Sequence, residues 1–403
     1  MKTIMVIPGA AAQIPLIKRA KELGYAVVCV NPYPDSPAFP YADYSEQYDI
    51  LNVDDCMSVA KKYNVCAVIS DECDIAMPTV AAVSEAMGLP SIGSRMARLY
   101  TNKKEMRAFS RANNFPCPAY AQCASAAEAK AFFRSLSVPK MIMKPLDSNS
   151  SRGVYTVTKE AELDALFAQS LSFSHSEKVV LCEEYIEGTE FTIDGIVLNG
   201  KHYSLAVSKK KHYPHHPNIA CELYFSHDDS EFNYNALRRQ NDLYVEKTGL
   251  PFGFTHAEYK FNGKQFVLIE IGARGGGNFI SSHVVPAMTG LDNYKLLIEH
   301  TLNSRQEDTY QKKPAYCERC CVLKFFDVDA CHDGKAVAGI RGEALLRDNP
   351  KVLLYSFNFK VGDVLHIAED DSKRIGFYIA YGDTRAELDQ FMEQIEAEVG
   401  FLF

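Results

Sequence analysis

Short apolar runs alternate with amphipathic stretches over the first quarter of the chain. The apolar run from Thr3 to Ile7, a Gly9 turn, a helical pattern from about Ile14 to Leu23, a stop at Gly24 and a second apolar run from Ala26 to Val30 predict strand, helix and strand. A helix near Met57 to Tyr63, the strand CAVIS ending before Asp71 and a helix from about Thr79 to Met87 continue the pattern. Residues 1–95 are therefore expected to form a small parallel α/β domain. The first turn has one glycine where a dinucleotide fingerprint needs three, so NAD binding is not expected.

Further on, Asn102 and Glu105 are spaced as a helix cap and its partner, and the helix should run to about Asn113. Helical patterns near Ala126 to Leu136 and over 160–170 bracket the strand MIMK and a small polar loop, Ser148 to Gly153; the strand VVLCEEYI follows. Two hairpins follow, one turning at Asn199-Gly200 and one at Asn262-Gly263, separated by a His- and Pro-containing loop and a helix around 234–247. Strands alternate thereafter up to a long final helix, Arg385 to Glu398, in an α/β cap.

A net charge of -8 argues against nucleic acid or an anionic membrane as the main partner. No run approaches the ~18 apolar residues of a membrane span, and the N-terminus reads as a buried strand, so a cytoplasmic protein with reduced thiols is expected. The cluster Cys317, Cys320 and Cys321, with Cys331-His332, lacks the second pair of a zinc site and reads as buried strand residues.

Three constellations carry chemistry. Lys144 ends a strand and leads into Ser150, Ser151, Arg152 and Gly153; such a loop either holds phosphates with its charge and amides or is simply a surface loop. In the segment Glu183, Glu184, Tyr185, Ile186 through Gly188 to Glu190, the backbone at Glu184 to Ile186 can read an adenine edge and Glu190 can accept from both ribose hydroxyls; the alternative is a solvated acidic strand end. Glu258 and Glu270 flank the second hairpin turn. A three-residue turn, Asn262 to Lys264, would pair Glu258 with Leu268 and set Glu270 on the same face diagonally, about 7–8 Å away. Like charges so placed call for a cation, and Mg2+ takes a couple of carboxylates with phosphate and water. Arg274, followed by Gly275 and Gly276, is placed to clamp an anion.

Together these motifs resemble the ATP-grasp superfamily over roughly residues 1–380. Lys103 lies thirteen residues before Pro116 in FPCP, as the family's first phosphate-contacting lysine precedes its "gxPxP" element, and Lys144 lies eight before Arg152, as in the lid of biotin-carboxylase-like members. Glu258 and Glu270 match the two acidic metal ligands and Arg274 the arginine of "ExNxR", but the asparagine, often a third ligand, is Gly272 here. The pattern looks closest to the carboxylate–amine ligase branch. The resemblance implies a pre-ATP-grasp domain over 1–95, an ATP-grasp domain over 96–305 with a lid at about 117–184, and a C-terminal subdomain over 306–403. It also implies ATP with Mg2+ (or Mn2+), an acyl-phosphate intermediate, amino-acid-like carboxylate and amine substrates, and possible homodimerisation. The segment from Lys209 through His216 to Glu222 matches the loop covering the acceptor pocket, with Glu222 holding an amino group and His212, His215 or His216 assisting proton removal. The rival expectations are a biotin-carboxylase-like or purine-pathway enzyme using carboxyphosphate, and an ATP-binding regulatory module without turnover.

Overall fold

The computed structural model describes residues 1–146, 152–174, 177–303, 309–369 and 371–403. Thr3–Val6, apolar on both faces, pairs in parallel with Ala26–Val30 on one side and Val65–Ile69 on the other, and Tyr44–Glu46 forms the outer edge. Helices Ile14–Glu22 and Val53–Lys62 lie in the crossovers that parallel pairing demands, and Met77–Ala86 follows the last strand. The second starts earlier than its apolar pattern suggests because Asn52 caps it, accepting from the amides of Asp54 and Asp55. The strand Val65–Ile69 then delivers Ser70 to Asp74 at the carboxyl edge of the sheet, where open α/β sheets present their sites.

Asn102 caps the helix Lys103–Ala112, accepting from the amides of Lys104 and Glu105, so that Lys103 and Arg107 stand one turn apart on one face. The next unit is an antiparallel sheet in the order Tyr120–Cys123, Val180–Glu184, Met141–Pro145, Tyr155–Val157. Helices Ala126–Ser135 and Leu163–Ser172 cover it, burying Phe133, Met141, Met143, Leu163 and Phe167.

The largest sheet has eight antiparallel strands, in the order Phe266–Gly272, Gly253–Phe261, Thr189–Leu198, Lys201–Tyr213, His216–Ser226, Cys320–Phe325, Gly376–Gly382, Val352–Phe357. Asn199-Gly200 makes the expected two-residue turn, with φ of 51° and 76°, as a type I′ hairpin requires. The expected loop from Lys209 to Glu222 is instead a β-ribbon: Lys209 to Lys211 pair with Tyr224 to Glu222, and only Pro214 and His215 form the turn. Pro214 falls where it removes no ladder hydrogen bond, so the ribbon tolerates it. The last three strands continue the sheet without a break, and helix Arg385–Glu398 packs on them through Leu388, Met392 and Ile395. Among the described residues no helix is long and apolar enough to cross a membrane.

Candidate active site

Glu258 and Glu270 share a face, but not by the turn expected. Phe261 lies opposite Phe266, and the Asn262 amide donates to the Gln265 carbonyl at 3.2 Å, so the loop is longer than three residues. Leu268 pairs with Tyr259 and not with Glu258. Ile269 is then an extra residue in its strand, and beyond it Glu270 stands directly across from Glu258. A bulge re-aims the residues after it. Here it leaves Tyr259, Leu268, Ala257 and Ile271 in the apolar core and turns both glutamates to the other face. Directly opposed side chains have Cβ atoms about 4.5–5.5 Å apart, closer than the diagonal arrangement expected.

Each of these carboxylates has a lysine. Lys103 Nζ is 2.8 Å from Glu270 Oε1, and Lys210 Nζ lies 2.8 Å from Glu258 Oε1 and 2.6 Å from Glu190 Oε1. His212 Nε2 at 3.5 Å and Lys260 Nζ at 3.9 Å complete the ring around Glu190. Burial works against ionisation of Glu190, Glu258 and Glu270, but the neighbouring lysines win and hold all three below the usual carboxylate range. Among the described residues no trio of His, Cys, Asp and Glu forms a metal cage. Two adjacent carboxylates with Gly272 beside them nevertheless fit Mg2+, which fills most of its shell with phosphate and water.

Lys144 is buried with its Nζ 2.7 Å from Glu183 Oε2, and Arg107 Nε is 2.5 Å from Glu183 Oε1. Burial opposes the charge on Glu183, yet Arg107 and Lys144 bring its pKa down to about 2. Burial lowers the Lys144 pKa, with Glu183 opposing. Glu183 thus positions two cations. Of the three amides expected to read an adenine edge, Glu184 donates to Ala119 at 2.8 Å and Tyr185 to Lys140 at 3.3 Å, which leaves that of Ile186. Gly188, at φ 131°, joins this strand to the central sheet; a Cβ there would sit 1.9 Å from the Phe261 carbonyl oxygen. Ser150 and Ser151 lie outside the described residues; Arg152 is exposed and Gly153 buried in the turn before Tyr155.

Arg274 does not hang free in the cleft. Its Nε and Nη2 grip Asp74, just beyond the strand Val65–Ile69, at 2.9 and 2.6 Å, and Nη1 donates to the Gly275 carbonyl at 2.8 Å. The Gly275 amide donates to Asp71 at 2.7 Å and the Gly276 amide to Asp194 at 2.9 Å. The remaining expected substrate residues are not brought together with these. Glu222 pairs with Lys211 and Lys324, while Phe225, three positions on, aligns across the ribbon with Ser208, Thr192 and Glu258. Glu222 therefore points to the opposite face, buried against Lys211 Nζ at 2.7 Å and Lys324 Nζ at 3.5 Å. His216 sits at the ribbon's turn opposite Tyr213; His212 is the histidine that approaches Glu190.

Sequence reading missed Arg107, Lys210, Asp71, Asp74 and Asp194. Arg107 was open to detection, being one helical turn from Lys103. Lys210 and His212 alternate on one strand, a signal hidden by treating that segment as a loop. The aspartates carry no local signal, since their partners are far away in the chain.

An ATP-grasp domain model matches residues 137–283 and a model of the L-amino acid ligase C-terminal domain 2 matches residues 331–402. Dapdiamide A synthase of Enterobacter agglomerans is 26% identical over 141 residues, 34% of this chain and 33% of the relative. Formate-dependent phosphoribosylglycinamide formyltransferase of Chlorobaculum tepidum is 28% identical over 203 residues, 48% of this chain and 50% of the relative. The match thus spans a third to a half of the length of these curated relatives. The fold of L-amino acid ligase from Bacillus licheniformis superimposes with a TM-score of 0.82 at 18% identity, covering 100% of this chain and 99% of that one.

Proposed function

Because the chain belongs to the ATP-grasp superfamily, we propose that it is an ATP-dependent carboxylate–amine ligase working through an acyl phosphate. The observation that carries this reading is the directly opposed Glu258–Glu270 pair, ringed by Lys103 and Lys210 and followed by Arg274. Glu258 and Glu270 would hold Mg2+, which when bound neutralises phosphate charge and polarises the transferred group. The Ile186 amide meets the adenine edge and Glu190 the ribose hydroxyls. Lys103 and Lys144, aligned by Glu270 and Glu183, face the phosphates. Arg274 orients the substrate carboxylate with the N–H groups that Asp74 leaves over.

A carboxylate oxygen attacks the γ-phosphorus and ADP leaves. An amine then attacks the acyl carbon, loses a proton, and the bond from acyl carbon to phosphate oxygen breaks, giving amide and phosphate. The lid, residues 117–184, covers the acyl phosphate from water. The relationship to dapdiamide A synthase and the fold of an L-amino acid ligase support amide formation on amino-acid-like substrates. The test is ADP and phosphate release with Mg·ATP over amino acids singly and in pairs. Release that depends on bicarbonate or formate with no amino acid present would replace this reading with a carboxyphosphate or formyl-transfer one. ATP binding without turnover for any acid would leave a regulatory module.

A further inference from the structure

We propose that Asp194, Glu72 and Asp71 form a subsite for an ammonium group carried next to the reacting carboxylate, which makes the acyl donor an α-amino acid. The inference rests on the ligase reading above. Asp194 comes from the strand Thr189–Leu198, and Asp71 and Glu72 from the loop after Val65–Ile69. They converge on the chain just after Arg274. Asp194 is 2% exposed; one oxygen accepts from the Gly276 amide at 2.9 Å and lies 3.0 Å from His256 Nδ1, and the other, buried, has no hydrogen-bond partner. Glu72 accepts from the Phe279 amide at 3.0 Å through one oxygen, and its second oxygen is likewise buried without a partner. Asp71 is fully buried, accepts from the Gly275 amide and is flanked by the Ser281 and Tyr294 hydroxyls. The approach needs glycine, because a Cβ on Gly276 would lie 2.6 Å from Asp194 Oδ1 and one on Gly275 2.8 Å from Asp71 Oδ1.

Carboxylates gathered this way require a cation. The neighbouring guanidinium, Arg274, is already engaged by a fourth acid, Asp74. Burial, with Asp71's charge adding to it, holds the Glu72 carboxyl well above its usual range. An ammonium group takes one hydrogen bond per N–H from acceptors on separate elements, and bare oxygens on two elements offer this. The Gly275 and Gly276 amides that hold Asp71 and Asp194 follow Arg274 directly. A carboxylate on Arg274 therefore has its α-substituent beside the acids.

The experiment compares alanine with propionate and leucine with isocaproate as acyl donors for wild-type protein with Mg·ATP. It reads ADP release, and in parallel the thermal shift that each compound adds to protein saturated with Mg2+ and a non-hydrolysable ATP analogue. Amino acids are expected to exceed their desamino partners at least about tenfold in kcat/KM, the loss of a charge-assisted contact. Glu72→Gln and Asp194→Asn should each raise the amino-acid KM about tenfold while leaving the KM for ATP unchanged. Desamino acids working within twofold of amino acids, or amino-acid KM values unmoved in both variants, overturn the subsite while the ligase reading stands. If no acid supports ADP release, the ligase reading fails and the thermal shift decides. A shift from alanine or leucine that is absent with propionate, isocaproate and K+ supports the subsite; any other pattern overturns it. Should Asp194→Asn not fold, Glu72→Gln and the wild-type comparison still give the answer.

Discussion

Arg107 donates to the backbone carbonyl of Ile269, the bulge residue that brings Glu270 into register with Glu258. One buried guanidinium thereby ties the nucleotide side of the cleft, through Glu183, to the carboxylate pair. Arg107→Lys keeps the charge but cannot fork to both partners. The variant should lose on the order of 1–2 kcal/mol in denaturant unfolding, and its ADP formation should need several-fold more Mg2+. A magnesium titration superimposable on that of the wild type would separate the bulge from metal binding.

The pKa of Glu183 near 2 makes its contribution depend on pH in a defined direction. Its ordinary value is 4.5, so the group is depressed on folding. The stability it contributes is complete above about pH 4.5 and disappears as pH falls toward 2. Glu183→Gln should therefore be less stable near neutrality by on the order of 3 kcal/mol. The gap from wild type should close across that acid window in urea unfolding at stepped pH, and a gap that stayed constant would show the carboxylate to be uncharged or unpaired.

Lys210 bridges Glu190 and Glu258. In Lys210→Gln the two acids repel without it, costing on the order of 3 kcal/mol in the ligand-free protein. Mg·ATP should raise the unfolding temperature of this variant more than that of the wild type, because the bound ion replaces the missing charge. Equal increments in both proteins would argue against that exchange.

Asp74, a few residues beyond the strand Val65–Ile69, restrains Arg274. Asp74→Asn keeps the shape and weakens the grip; kcat is expected to fall about tenfold with the KM for ATP unchanged. Arg274→Lys, which loses the planar fork, should fall about 10²–10³-fold in kcat. A rise confined to the KM for ATP in either variant would move Arg274 from the acyl group to the nucleotide.

Much of this molecule can be read along the chain where local chemistry dominates. The Asn199-Gly200 turn, the Asn102 cap and the final helix Arg385–Glu398 follow from rules spanning a few residues. Glu258 and Glu270 were legible as a pair that must share a face, but the reason was not: a bulge at Ile269 replaces the short turn, and its driving force lies in burying Tyr259 and Leu268 together. The Lys209–Glu222 segment misled because a run of lysines and a proline reads as solvent-exposed, whereas the Lys210 side chain is only 10% exposed, held by its two acids. Asp71, Asp74 and Asp194 acquire meaning only through contacts with the chain after Glu270.

The unbroken eight-stranded sheet makes the two halves of the chain mutually protective. Cys320–Phe325 satisfies the outer backbone edge of His216–Ser226. A version of the protein ending near residue 303 would present that strand with its amides and carbonyls bare over Glu222 to Phe225, flanked by Leu223 and Phe225 side chains stripped of Leu323 and Cys321. Such an edge is a template for adding another chain of the same kind. The C-terminal segment thus acts as a guard against polymerisation of the catalytic body.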